Sequence, residues 1–205
     1  HEWQARHASR LLQERAACGK LPDAARQRRQ NLVSLGRGAA GSAPVPPEAG
    51  RFSSEAGELR ALWALHGIGG LTADVIAKQL QSRSETLRAW TIQLACEDRK
   101  LGDAALKEFV RLAKEDPSPV VRLYLASACQ RLSVADRAPI VEALLAHAED
   151  KDDHNLPLMY WYAAEPIVGS DTTKAVSLLA KTKIPILREY ITRRMTAGKV
   201  AQAEK

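Results

Sequence analysis

Residues 116–132 read Asp-Pro-Ser-Pro-Val-Val-Arg-Leu-Tyr-Leu-Ala-Ser-Ala-Cys-Gln-Arg-Leu, and this stretch decides the fold. Ser118 stands where a helix N-cap belongs, because its short hydroxyl can accept a bond from an orphan amide of the first turn. Beyond it, Val121, Leu125, Ala128, Cys129 and Leu132 recur at helical spacing and fall on one side of a helical wheel. One helical hairpin cannot bury such a stripe by itself, so neighbouring helices must cover it.

The same punctuation extends along the chain. Apolar residues recur with the 3.6-residue period, and the alternating Val/Ile/Thr/Tyr runs of strands are absent. Helices are expected near 2–18, 22–35, 54–67, 72–81, 84–97, 102–115, 118–132, 134–149, 155–168, 170–181 and 184–197. Ser84 and Asp171 join Ser118 as expected N-caps, and Gly19, Gly36, Gly169 and Gly198 are expected just past helix ends. Residues 36–52, rich in Gly, Ala and Pro, read as a flexible loop or insertion.

The helices also resemble one another. Residues 85–98, 118–132 and 184–195 each carry an Arg two positions before an aromatic: Arg88 and Trp90, Arg122 and Tyr124, Arg188 and Tyr190. Arg6 and Arg60 fit the same frame, and residues 154–166 fit with Leu158 in the Arg place and Tyr160 in the aromatic place. Successive anchors then lie 54, 28, 34, 36 and 30 residues apart, the first interval containing the Gly/Pro-rich loop. Such intervals bracket the helix-pair repeat of a solenoid. The expected fold is all-α, a right-handed α-solenoid of about six helical hairpins. Residues 1–35 would form the first hairpin, 36–52 the loop, 53–198 the repeats and 199–205 a disordered tail.

Composition sets further bounds. The 205 residues are 45% hydrophobic and 26% charged, enough for a packed core. No run approaches 18 apolar residues, so no membrane-spanning helix is expected. The formal net charge of +6 lies at the ends: residues 1–60 sum to +4, residues 61–183 to −1 and residues 184–205 to +3. A nucleic-acid-binding solenoid, even one with glycosylase-like base-excision chemistry, would use the basic ends and the aromatics. The near-neutral middle argues against it, since a basic groove should run through the repeats. Nucleic acid is thus the less favoured partner. The chain also opens without Met and without a cap before its first helical pattern, so it reads as a piece of a longer polypeptide.

Motifs for chemistry are sparse. Cys18, Cys96 and Cys129 show neither CxxC nor CxxCH spacing, and Cys96 and Cys129 fall on apolar helix faces, as buried free thiols do. His7, His66 and His147 have no His partner at i, i+4, and Gly67-Ile68-Gly69-Gly70 is a helix-ending turn rather than a phosphate loop. Asp150, Asp152, Asp153, His154 and Asn155 form the densest polar cluster. Its oxygens could hold a hard cation or meet a partner, although capping of the next helix explains the same residues. No catalytic residue, cofactor or metal ligand is assigned. The candidate partner surface comprises Arg88, Trp90, Arg122, Tyr124, Asp153, His154, Tyr160, Trp161, Arg188 and Tyr190, since Trp, Tyr and Arg dominate protein-binding surfaces. Packing between repeats accounts for the same aromatics without any ligand.

Residues 116–132 and 83–98 resemble the second helix of a HEAT repeat. Residues 2–16, 59–71 and 150–168, the last containing Asp-Asp-His-Asn-Leu-Pro and Tyr-Trp-Tyr-Ala-Ala-Glu-Pro, together resemble a particular helical region. It is the HEAT-repeat region of the large multidomain, membrane-bound dehydrogenase-like or haem-binding proteins of planctomycetes and verrucomicrobia. The resemblance spans roughly residues 2–195. It implies an exported, extracytoplasmic parent with a β-propeller before this region and a c-type cytochrome domain after it. For this segment it implies a scaffold that binds a protein or the parent's own neighbouring domains. The haem motif CxxCH and the propeller strands are missing here, so no redox residue carries over.

Overall fold

A computed structural model describes residues 10, 14 and 55–203; the expected helices at 2–18 and 22–35, the 36–52 loop, Gly19 and Gly36 lie outside the described residues apart from positions 10 and 14. Among the described residues the structure is all-helical. The helices are α1 (Glu55–Gly67), α2 (Ala73–Gln79), α3 (Glu85–Ala95), α4 (Asp103–Glu115), α5 (Pro119–Ala128), α6 (Val134–Leu144), α7 (Leu156–Ser170), α8 (Thr172–Lys181) and α9 (Pro185–Ala203). Short 3₁₀ turns follow α5 at Cys129–Arg131 and α6 at Ala148–Asp152. The chain forms two compact units, residues 1–94 and 95–205.

In the first unit, Leu62, Leu87 and Leu94 form a buried cluster against which Leu59, Leu71 and Trp90 pack. Trp63 meets Trp90 edge to face with ring centroids 4.9 Å apart, an arrangement the aromatic quadrupoles favour. The α1 stop is chemically explicit. Gly69 takes φ +67°, the Gly70 N–H donates to the Leu65 carbonyl at 2.7 Å and the Gly69 N–H to the His66 carbonyl at 3.0 Å. Those two bonds around a left-handed glycine are a Schellman stop. Thr72 then caps α2 through its hydroxyl, and Ser84 caps α3 by accepting the Leu87 N–H at 3.2 Å.

The second unit is organised by alternation. Helices α5, α7 and α9 pack in a row, α5 on α7 and α7 on α9, while α4 packs on α6. Helix α8 lies against both α7 and α9, and the Lys181 ammonium of α8 pairs with Glu142 of α6. Ala126, Ala128, Ala163, Ala164 and Ala175 are all buried, and small side chains at helix contacts let the backbones approach closely. Val121, Leu125, Ala128, Cys129 and Leu132 are buried as one stripe, alongside Phe109, Ile140, Leu144 and Ile167. Ser118 accepts the Val121 N–H and Asp171 accepts those of Thr173 and Lys174, so both expected caps hold.

Two glycine stops are corrected. Gly169 lies inside α7, which continues to Ser170, and Gly198 lies inside α9, which runs on to Ala203 past the expected tail boundary at 199. At the first, Asp171 turns the chain instead, its extended backbone and carboxylate starting α8. At the second, residues 199–203 (Lys-Val-Ala-Gln-Ala) are mostly strong helix formers, and one glycine costs only about 1 kcal/mol.

Candidate functional site

The repeated arginines hold turns. Arg88 donates from Nη1 to the Ser82 carbonyl at 2.8 Å. Arg122 donates from Nη1 to the Asp116 carbonyl at 2.9 Å, and Arg188 from Nε to the Thr182 carbonyl at 3.0 Å. In each case the acceptor lies six residues back, in the turn from the preceding helix. An Arg in the first turn of a helix is long enough to reach there, where carbonyls left over from the previous helix need donors.

Around Arg122 the clamp becomes a buried network. Its Nε and Nη2 donate to the two carboxylate oxygens of Asp150 at 2.7 and 2.5 Å. The Tyr160 hydroxyl donates to Asp150 Oδ2 at 2.6 Å. Arg122 and Asp150 side chains are each 4% exposed. Burial alone would lower the Arg122 pKa, but the carboxylate outweighs it and raises it; burial and the Asp150 charge push Tyr160 well above an ordinary phenol. With Arg122 filled by Asp150 and Asp116, this guanidinium is committed to structure. Arg122 and Tyr160 therefore leave the candidate partner surface, and Arg88, 9% exposed, leaves with them.

The network also corrects the repeat frame. Pro119, Pro157 and Pro185 mark the first turns of α5, α7 and α9, where a proline costs nothing because that N–H has no helical partner. Aligned on the prolines, Tyr160 falls at the position of Arg122 and Arg188, and Tyr162 at that of Tyr124 and Tyr190. Burial agrees: Ala163 and Ala164 match the buried Leu125 and Ala126, whereas the Leu158-for-Arg alignment would set exposed Tyr162 against buried Ala126. Tyr160 takes the Arg's place in the frame and donates its hydroxyl to the Asp150 carboxylate that Arg122 also holds, and with no Arg at that position the Arg-based frame slipped by two residues.

In this register an apolar face emerges along the row. Val120, Leu158 and Ile186 are 39%, 44% and 37% exposed, each directly after its proline. One turn on, Tyr162 is half exposed and Tyr124 and Tyr190 are half-buried. Trp161, half-buried, meets Tyr190 at 5.5 Å between ring centroids. Farther along, Glu165 of α7 accepts the Arg194 Nε of α9 at 2.7 Å. The Arg194 guanidinium lies over Gly169, where a Cβ would come within 2.9 Å of it. Of the sequence-derived candidates, Tyr124, Trp161 and Tyr190 belong to this face. Arg188 is exposed beside it, and Trp90 packs in the first unit. Tyr162, Val120 and Ile186 were missed; the three prolines were the signal that could have found them.

Asp153 and His154 are exposed at the start of α7. Asp153 Oδ1 accepts the N–H groups of Asn155 and Leu156, both at 2.8 Å, and these bonds hold its pKa below the usual carboxylate value. It is a carboxylate that closes the turn into α7, one of its bonds reaching the first helical amide. Asp150 is taken by Arg122, and among the described residues no group of three or more His, Cys, Asp or Glu could hold a metal ion. His147 bonds Glu149 through Nδ1 at 2.6 Å and the Ala113 carbonyl through Nε2 at 2.8 Å, tying the loop after α6 to the last turn of α4. Cys96 and Cys129 are buried free thiols, pushed up by burial to about 11 and about 12. No helix among the described residues is long and apolar enough to cross a membrane.

No family model, no curated protein and no solved structure matches this chain.

Proposed function

We propose that the chain is a non-catalytic scaffold or protein-interaction domain, built as a right-handed α-solenoid of HEAT-like hairpins. We place it within a larger exported protein of the dehydrogenase-like or cytochrome-bearing kind that its sequence resembles. The observation that carries the interaction reading is the outward apolar face of α5, α7 and α9. Its residues are in register across three stacked helices, and Tyr162 stands half exposed. Contiguous exposed apolar surface of this kind marks interaction sites. The alternate-helix row and the recurring Arg clamp support the solenoid, since both reuse one hairpin plan from repeat to repeat.

The test places a photo-crosslinking residue at Tyr162 in the full 205-residue chain and exposes it to the parent organism's extracytoplasmic fraction with DNA as competitor. The expected product is a crosslink to the parent's own neighbouring domains or to one defined protein, unchanged by DNA and lost when Leu158→Asp is added. Retention of nucleic acid that falls steeply with salt, with no protein crosslink, would overturn the reading in favour of nucleic-acid binding.

A further inference from the structure

Pro117 stands four residues after Ala113, where the amide that would bond the Ala113 carbonyl belongs, and proline has no N–H to give. That carbonyl, in the last turn of α4, meets His147 Nε2 at 2.8 Å instead. The same ring presents Nδ1 to Glu149 Oε1 at 2.6 Å. The His147 side chain is only 12% exposed, so water does not readily replace either bond. Both partners are acceptors. A carbonyl oxygen only accepts, and Glu149 is a carboxylate whose pKa is held below the usual value, chiefly by its bond to this ring. A neutral imidazole has one N–H and one lone pair, so it can serve one of the two; only the imidazolium donates to both. The carbonyl end of α4 favours a cation at the same place.

Charged neighbours on the packed elements have other partners. Asp150, next along the turn, is held by Arg122 of α5 and Tyr160 of α7. On α4, Arg111 pairs with Glu108 and Glu115, while Lys114 is exposed. Asp116, where the chain leaves α4, accepts the Ser118 amide. Glu142 of α6 pairs with Lys181, Lys151 with Asp152, and Asp153 accepts the amides before α7, with His154 exposed beside it.

We propose that His147 is a proton-operated tie: doubly protonated, it fastens the 3₁₀ turn Ala148–Asp152 to the end of α4, and loss of one ring proton as pH rises frees Glu149 and loosens that turn. What the turn carries gives the tie its consequence. The Asp150 N–H donates to the His147 carbonyl at 3.3 Å, and Asp150 leads to the Arg122 network. The Asp153 N–H donates to the Asp150 carbonyl at 3.1 Å and leads into α7. Glu149, with its lowered pKa, contributes above the ordinary carboxylate value and stops contributing as pH falls through its lower one. The ring contributes while it holds both protons. The tie is independent of what the α5, α7 and α9 face binds.

The experiment records long-range proton–nitrogen NMR spectra of the full chain from about pH 5 to about pH 8, the interval in which imidazoles change charge. Hydrogen exchange at the Asp150 and Asp153 amides is followed in parallel, corrected for the pH dependence of the exchange chemistry. Both His147 nitrogens should carry protons at the acid end and one should be bare at the other. Protection of the two amides should fall about tenfold between them, the change expected on losing a bond to a charged group. His147→Gln can still donate to the Ala113 carbonyl but does not titrate, so it should abolish the response with the helical circular dichroism unchanged. Glu149→Gln should move the loss of the ring proton to lower pH, and His154→Gln should leave the response as it was. A ring bearing only the Nε2 proton throughout would overturn the proposal. So would equal protection at both ends, or a response that survives His147→Gln.

Discussion

Replacing Arg122 by Met tests the central claim about the repeats, that the recurring Arg is there for the turn rather than for a ligand. The change keeps an apolar stem of similar length but removes two bonds to Asp150 and one to the Asp116 carbonyl. Asp150, its side chain only 4% exposed, keeps the Tyr160 hydroxyl as its remaining side-chain donor. Breaking one partner out of a buried pair costs about 3–5 kcal/mol, chiefly because the other charge is stranded. For a chain of this size each kcal/mol lowers the melting temperature by about 2–4 °C, so the shift should fall between about 6 and 20 °C. The assay is urea and thermal denaturation of the full chain followed by far-UV circular dichroism. Two comparisons sharpen it. Arg188→Met removes one part-buried bond and strands no buried charge, so it should cost only about 0.5–1.5 kcal/mol. The triple change Arg122→Met, Asp150→Leu, Tyr160→Phe removes the charges together and should recover to within about 2 kcal/mol of the original. A cost below about 1 kcal/mol for Arg122→Met, the size of an exposed pair, would refute the reasoning.

Three further outcomes are expected. Gly69→Ala meets no neighbouring atom within 4 Å but must hold φ +67°; the backbone strain should cost about 1–2 kcal/mol by denaturation. Cys96 and Cys129, with pKa values pushed to about 11 and about 12, should resist iodoacetamide at pH 8 in the folded chain and react only in denaturant, read by peptide mass spectrometry; rapid labelling when folded would contradict their burial. Asp153 has its pKa lowered by the Leu156 and Asn155 amides, so its contribution is complete above the ordinary carboxylate pKa of 3.8 and is lost as pH falls through the lower folded value. Asp153→Asn should remove that part of the acid limb of a stability-versus-pH curve, and an unchanged limb would show that the carboxylate's bonds to the turn before α7 do not stabilise the fold.

Helix positions were legible because they depend on local chemistry. Ser84, Ser118 and Asp171 supply caps within one turn of the backbone they serve, and the stripe through Val121 and Leu125 shows its period in the letters alone. The two errors at helix ends have the same origin. Gly169 and Gly198 permit a stop without compelling one, and their C-terminal neighbours decide: Asp171 ends α7 two residues later, while helix formers carry α9 onward.

The candidate surface was half legible. Arg and aromatic residues recur at the right interval, but recurrence alone does not separate a side chain that binds from one that clamps. Arg122 and Tyr160 look alike to no sequence pattern, yet they meet on one carboxylate supplied by Asp150, far from Arg122 in the chain. That meeting sets the register, moves Tyr160 into the core and turns Tyr162 outward.

The sequence by itself determined the helices of the described residues, their caps and their buried stripes, because helix periodicity and capping act over a few residues. Only the tertiary structure decided which repeated residues are buried in the turns and which form the open face of α5, α7 and α9. Burial depends on what a neighbouring helix covers, and that neighbour lies about thirty to forty residues away along the chain.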